Sequence, residues 1–124
     1  MATLLVVDDE PSVRSLTARF LRRAGYEVME ARDGREAWTC LRRADWAVDV
    51  LLADVVMPGL TGTELAALVR ERCPELSIVL MSGYSDQDLL DRGLRLSHGL
   101  LLTKPFTEAT LLTRVREALD GLPG

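Results

Sequence analysis

The sequence predicts a single α/β domain built around a parallel sheet, and three observations lead to this prediction. Five short apolar runs of strand length alternate along the 124 residues with stretches of helical periodicity. The central runs are continuously apolar, which is typical of parallel strands that helices cover on both faces. No repeat or linker divides the chain, so we expect residues 1–124 to form one domain.

The first half of the chain predicts three strands separated by two helices. The strands cover residues 4–7, 26–31 and 48–53, and the helices cover residues 11–24 and 36–43. Pro11 suits a first helical turn, because the N–H that proline lacks would have no partner there. Gly25 suits the end of the same helix. Asp33 and Gly34 form the turn that leads into the second helix.

The second half of the chain repeats the alternation of strands and helices. Strands are predicted at residues 76–81 and 100–102, and a third helix at residues 63–72. Ser85 to Asp88 fits a capping box for a short fourth helix, and Thr107 fits the cap of a fifth. Five strands and five helices in this length fit a doubly wound parallel sheet with the flavodoxin-like order 2-1-3-4-5.

Polar side chains follow four of the five predicted strands, at the point where each strand ends. Asp8 and Asp9 follow the first strand, Asp54 the third, Ser82 the fourth and Lys104 the fifth. Each residue alone is better explained as a strand or helix cap. Because the carboxyl ends of parallel strands meet at one edge, we expect all five to converge there, where such sheets bind ligands.

This set of side chains suits phosphate chemistry. Clustered carboxylates repel one another unless a cation neutralises them, and an all-oxygen set favours Mg²⁺ or Mn²⁺. Lys104 is the single lysine beside fourteen arginines, and it would offer a compact charge to an anionic oxygen. A carboxylate can also act as a nucleophile and form an aspartyl phosphate.

The composition excludes several other classes of protein. One histidine, His98, and two distant cysteines, Cys40 and Cys73, cannot supply a zinc cluster and make nucleophilic triads implausible. No apolar run spans a membrane, and no export signal opens the chain, so we expect a cytoplasmic protein without membrane insertion. A net charge of -4 argues against direct nucleic-acid binding.

Four motifs in order give the chain a family resemblance. They are VVDDE at residues 6–10, LLADVVMPGLTG at 51–62, LMSGY at 80–84 and TKPF at 103–106. The chain resembles the chemotaxis-regulator-like receiver domains of two-component response regulators, over essentially its whole length. It is most similar to the C-terminal receivers of hybrid sensor histidine kinases, and a free-standing regulator is equally compatible.

The resemblance implies a role for each acidic residue. Asp54 would accept a phosphoryl group from a phosphohistidine on a histidine kinase or histidine phosphotransfer protein. Asp9 would bind Mg²⁺ directly and Asp8 through a water molecule. Asp54 and the backbone carbonyl of Val56 would complete the ligands that the protein supplies.

The resemblance also implies a conformational switch. Ser82 would hydrogen-bond a phosphoryl oxygen and move toward it, Lys104 would pair with the phosphoryl group, and Pro105 would follow through a cis peptide bond. Similar domains commonly carry an aromatic residue three positions before the lysine, where this chain has Leu101. We expect Leu101 to be plain core, which puts the aromatic half of the switch in doubt.

We expect a regulatory domain and not a turnover enzyme, with self-phosphorylation and autodephosphorylation as its only reactions; a homodimer is compatible. Two alternatives stay open. A haloacid-dehalogenase-like phosphatase also uses an aspartate, Mg²⁺ and a lysine, but its nucleophile belongs to an Asp-x-Asp pair, whereas Asp8 and Asp9 are adjacent. A pseudo-receiver would bind partners without phosphorylation. We also hypothesise that the start of the first helix, from Pro11 to Arg14 beside the acidic site, helps to dock the phospho-donor.

Overall fold

The computed structural model describes residues 2–83 and 100–120 of the chain. The strands within these ranges are β1 (Thr3–Val7), β2 (Glu27–Ala31), β3 (Val50–Asp54), β4 (Ser77–Ser82) and β5 (Leu100–Thr103). The helices within them are α1 (Pro11–Arg23), α2 (Gly34–Arg43), α3 (Gly62–Arg72) and α4 (Glu108–Leu119). None of these helices is long and apolar enough to cross a membrane.

The five strands form one parallel sheet in the order β2-β1-β3-β4-β5. The predicted α/β class and the predicted strand order are therefore confirmed. Four of the five predicted helices lie in the two described ranges, and all four are present. The short helix predicted from Ser85 lies outside the described residues.

Each strand places alternate side chains in two separate apolar layers, one on each face of the sheet. Leu4 and Val6 of β1 pack in the layer that α1 and α4 cover. Leu5 and Val7 pack in the layer that α2 and α3 cover. All four side chains are fully buried, because helices cover both faces of the strand. This explains why the run is apolar without a break.

Two helices, α2 and α3, begin one or two residues earlier than predicted, each directly after a residue whose side chain caps it. The Glu36 backbone N–H donates to the Asp33 side chain over 2.8 Å, so α2 begins at Gly34 instead of residue 36. Gly25 follows the C-terminal end of α1 and has a φ of +99°, which only glycine adopts without strain. This confirms the predicted end of α1.

A reciprocal capping box holds the first turn of α3. The Glu64 backbone N–H donates to the Thr61 hydroxyl over 3.2 Å, and the Thr61 backbone N–H donates to Glu64 Oε1 over 2.9 Å. These hydrogen bonds with Thr61 also lower the pKa of Glu64 from its ordinary value. The start of α3 is thereby fixed a short loop after the end of β3.

We predict that Thr61→Ala lowers the free energy of unfolding by about 1 kcal/mol, because it removes the side-chain cap of α3. Urea unfolding followed by circular dichroism measures the change. Thr113→Ala is the matched control, since its hydroxyl donates to Ala109 O inside α4 and caps no helix. It should change stability by less than about 0.5 kcal/mol. Equal losses in the two variants would contradict the capping role.

Candidate active site at the carboxyl edge of the sheet

Asp8 lies directly after β1 and is completely buried. Its backbone N–H donates to Ala31 O over 3.1 Å, which continues the pairing of β1 with β2. Its Oδ1 accepts the Glu10 backbone N–H over 3.0 Å, which closes the tight turn into α1. Asp9 and Glu10, by contrast, are exposed. The turn therefore points one carboxylate inward and leaves its two neighbours at the surface.

Asp54 is the last residue of the central strand β3, and only 7% of its surface is exposed. Its Oδ1 accepts the Val56 backbone N–H over 3.2 Å, which orients the carboxylate. The first residue of α3, Gly62, lies against this segment. A Cβ there would collide with the Asp54 carbonyl oxygen, so only glycine allows α3 to approach so closely.

Lys104 joins the two buried aspartates. Its Nζ donates to Asp8 Oδ2 over 2.7 Å and to Asp54 Oδ2 over 2.9 Å. Its backbone N–H donates to Ser82 O over 2.7 Å, so the ends of β4 and β5 are also tied together. The peptide bond to Pro105 is cis, as the resemblance implied. Ser82 itself is buried at the end of β4.

The pKa values of the site follow from burial and from these ion pairs. Burial raises the pKa of Asp54, and the neighbouring Asp8 adds to this, while the Lys104 hydrogen bond and charge oppose it. Burial alone would lower the pKa of Lys104. The hydrogen bonds and charges of Asp8 and Asp54 outweigh that effect and raise it. Lys104 is therefore held in its charged form between two carboxylates.

Three carboxylates lie close enough to share a metal ion. One oxygen each from Asp8, Glu10 and Asp54 lies within 4.8 Å of the others. An all-carboxylate set of this size fits a hard divalent cation such as Mg²⁺ or Mn²⁺, which also retains water ligands. Asp9, the predicted direct ligand, is not in this group. Glu10 is in it, although no prediction named it; the third acid of the Asp-Asp-Glu run was the available signal.

The structure also describes two further residues that the resemblance singled out, Val56 and Leu101. Val56 is 55% exposed, directly after the Asp54 turn, and is among the few large apolar side chains at the described surface. Leu101 is half-buried and packs against the core layer of α2 and α3, which agrees with its prediction as core. Segments far apart in sequence thus meet at one edge, as the parallel sheet required.

The fold and the site together define a class of protein, namely a parallel α/β domain with two buried aspartates bridged by one lysine at its carboxyl edge. Residues 4–116 match the response regulator receiver domain, and the chain belongs to this family. It is therefore a regulatory domain of two-component signalling, which confirms the resemblance in the motifs.

Individual relatives agree with this assignment. The chain is 37% identical over 120 residues to the sensor kinase CckA of Brucella abortus, covering 96% of the chain and 13% of the kinase. It matches the solved chemotaxis protein CheY4 of Vibrio cholerae with a TM-score of 0.86 and 35% identity, covering 96% and 99% of the two chains. It also matches the response regulator TrrA of Thermotoga maritima, solved in complex with Mg²⁺ and BeF, with a TM-score of 0.79 and 31% identity, covering 96% and 100%.

The chain spans only part of the curated relatives that it matches. It covers 13% of the Brucella sensor kinase and 51% of the phosphate regulon regulator PhoB of Pseudomonas aeruginosa, to which it is 32% identical.

We predict that Gly62→Ala lowers stability by about 1–3 kcal/mol, because the new Cβ meets the Asp54 backbone, which must shift. Thermal unfolding measures the loss. Gly83→Ala is the control, since Gly83 is exposed and a Cβ there would meet nothing within 4 Å. It should change stability by less than about 0.5 kcal/mol. A loss in Gly83→Ala as large as that in Gly62→Ala would contradict this explanation.

Proposed function

We propose that the chain accepts a phosphoryl group on Asp54 from the phosphohistidine of a histidine kinase or histidine phosphotransfer protein. One observation carries the proposal. The Lys104 ammonium lies 2.7 Å from Asp8 and 2.9 Å from Asp54, so a nucleophile, a fixed cation and a second carboxylate share one small site. Phosphoryl transfer needs mainly such positioning and charge neutralisation.

The reaction requires the ionised form of Asp54. A carboxylate oxygen of Asp54 attacks phosphorus, the P–N bond to the donor histidine breaks, and the imidazole nitrogen keeps the electron pair. Burial disfavours the ionised carboxylate, in keeping with the raised pKa of Asp54. Lys104 opposes this effect through its hydrogen bond and charge. After transfer, the same ammonium would pair with a phosphoryl oxygen.

A divalent cation, Mg²⁺ or Mn²⁺, would neutralise charge on the phosphoryl group during transfer. Asp8 and Asp54 would hold it, with Asp9 or Glu10 as the third acidic residue. The cluster of Asp8, Glu10 and Asp54 supports a ligand set that includes Glu10. The resemblance supports Asp9, together with the backbone carbonyl of Val56. The TrrA complex with Mg²⁺ and BeF supports a divalent cation in a domain of this family.

Phosphorylation would be read out through Ser82 and Lys104. Their backbones are already linked by the hydrogen bond between Lys104 N–H and Ser82 O. A movement of the Ser82 hydroxyl toward a phosphoryl oxygen would therefore act on the ends of both β4 and β5. Leu101 lies on β5, next to Leu102, and offers no ring to rotate. The switch would then run through Ser82 and Lys104 without an aromatic partner.

The whole protein would be a cytoplasmic component of a phosphorelay. The sensor kinase relative supports a receiver within a hybrid kinase, and the CheY4 relative, 99% covered, supports a free-standing regulator. In either case the domain would act by being phosphorylated and would turn over no substrate of its own beyond losing that phosphoryl group. Direct nucleic-acid contact is not part of the proposal.

We predict that the chain forms a covalent phosphoryl adduct when incubated with acetyl phosphate and Mg²⁺. Intact-mass spectrometry detects the adduct, and Asp54→Asn should abolish it because an amide is not a nucleophile here. Without any divalent cation, the adduct should form much more slowly.

The same experiment separates the alternatives. A parent chain that never gains an adduct would point to a pseudo-receiver. Continuous phosphate release from unrelated phosphoesters would point instead to a phosphatase. An adduct that persists in Asp54→Asn would show that another residue is the acceptor.

We predict that Lys104→Arg keeps the fold and the charge but impairs the phosphorylation-dependent switch, because a planar guanidinium cannot replace a compact ammonium between Asp8 and Asp54. Urea unfolding should show that the variant remains folded, because a positive charge stays between the two buried carboxylates. Backbone NMR spectra with and without acetyl phosphate should show little response at the ends of β4 and β5. A normal response by this variant would mean that only the charge of Lys104 matters.

A further inference from the structure

One arginine connects the acidic turn after β1 to the neighbouring strand. Arg14, in the first turn of α1, donates from Nη1 to the Asp8 backbone carbonyl over 3.0 Å. Its Nε lies 3.4 Å from Glu30 Oε1 on β2, and only 19% of its side chain is exposed. The guanidinium is thus turned toward the domain, although the sequence suggested a role in docking the phospho-donor.

The carbonyl that Arg14 holds belongs to the peptide bond between Asp8 and Asp9. Rotation of that peptide plane would redirect Asp9 and disturb the neighbouring Asp8 side chain. The other bonds of the turn act elsewhere: Asp8 N–H bonds to Ala31 O, and Glu10 N–H bonds to Asp8 Oδ1. Within the described part of the chain, the hydrogen bond from the Arg14 side chain is therefore what restrains the orientation of the Asp8 carbonyl.

We infer that Arg14 is a positioning residue that sets the Asp8–Asp9 peptide plane and, through it, the acidic side chains that hold the divalent cation. The inference rests on the proposed function and extends it. Arg14 acts only through the turn, and Glu30 anchors its guanidinium from the β2 side. Groups that orient metal ligands in this way commonly change metal affinity when they are removed.

The sign of the effect separates positioning from simple electrostatics. Arg14 carries a positive charge beside a site for a cation, so Coulomb's law alone predicts that its removal strengthens Mg²⁺ binding. Positioning predicts the opposite, because the ligands lose their preset geometry. Weaker binding after removal of a cation cannot come from the loss of its charge.

Arg22 offers a matched control on the same helix. It pairs with the same carboxylate, its Nη1 lying 3.2 Å from Glu30 Oε2, and it donates to Val28 O over 3.0 Å. Its side chain is 51% exposed, and both of these contacts lie on β2 and not on the acidic turn. Arg22→Ala therefore removes one charge and one bond to Glu30 without touching the Asp8 carbonyl.

The first measurement is Mg²⁺ affinity by isothermal titration calorimetry on the 124-residue chain. Arg14→Ala should weaken binding about tenfold. Arg22→Ala should leave the affinity unchanged within about twofold or strengthen it slightly, as expected of an exposed charge. Arg14→Lys keeps the charge but cannot span both acceptors with one ammonium, and it too should bind Mg²⁺ more weakly. This variant also keeps the test decisive if Arg14→Ala fails to fold.

The second measurement needs no metal. In EDTA, the amide ¹⁵N shift of Asp9 reports hydrogen bonding at the Asp8 carbonyl, because both atoms belong to one peptide bond. This shift should change in Arg14→Ala and Arg14→Lys and stay in place in Arg22→Ala. Either an unchanged Asp9 shift or an unchanged Mg²⁺ affinity in both Arg14 variants would overturn the inference.

The failure of the inference can be told from failure of the proposed function. A parent chain that forms no adduct with acetyl phosphate contradicts the proposed function, whatever the Asp9 shift shows. A parent that forms the adduct, with Arg14 variants that bind Mg²⁺ normally, contradicts only the positioning role. Arg14 variants that bind Mg²⁺ and use acetyl phosphate normally, but accept poorly from a phosphohistidine donor, would assign Arg14 to docking instead.

Discussion

The ion pairs of Lys104 with Asp8 and Asp54 are the interaction on which the site depends. Burial raises the pKa of Asp54, and repulsion from the neighbouring Asp8 adds to this effect, so without Lys104 protonation would be favoured further. The Lys104 ammonium lies 2.7 Å from Asp8 Oδ2 and 2.9 Å from Asp54 Oδ2, so it pairs with both carboxylates. It thereby connects the ends of β1, β3 and β5. Removing one partner of such a buried set leaves an uncompensated charge, which costs far more than a surface ion pair contributes.

The same site carries more acidic groups than basic ones, which bears on how it would accept a phosphoryl group at Asp54. In the part of the chain that the structure describes, the acidic groups of Asp8, Glu10 and Asp54 lie close together, and Lys104 pairs with two of them, Asp8 and Asp54. A divalent cation would correct this imbalance, and a phosphoryl group would bring new negative charge for the cation and Lys104 to share. The electrostatics that hold the site together thus also suit phosphoryl transfer.

Most of the fold could be predicted, because the residues that are apolar in the sequence are the ones that the folded domain buries. Unbroken apolar runs such as Leu4 to Val7 indicated strands covered on both faces, and the structure buries all four side chains. Helix starts were less accurate, since Asp33 and Thr61 extend α2 and α3 through side-chain caps whose geometry the periodicity of apolar residues does not encode. The predicted helix after Ser85 lies outside the described residues.

The sequence by itself determined which chemical groups would meet, because a parallel sheet brings every strand's carboxyl end to one edge. Asp8, Asp54, Ser82 and Lys104 were identified in this way. Only the tertiary structure decided how these groups are arranged. That Glu10 and not Asp9 clusters with the buried aspartates depends on the turn after β1. That Arg14 holds the Asp8 carbonyl depends on the packing of α1 against β2. The position of Glu10 and the hydrogen bond of Arg14 both depend on the direction of the backbone and on packing, which residue type alone does not reveal.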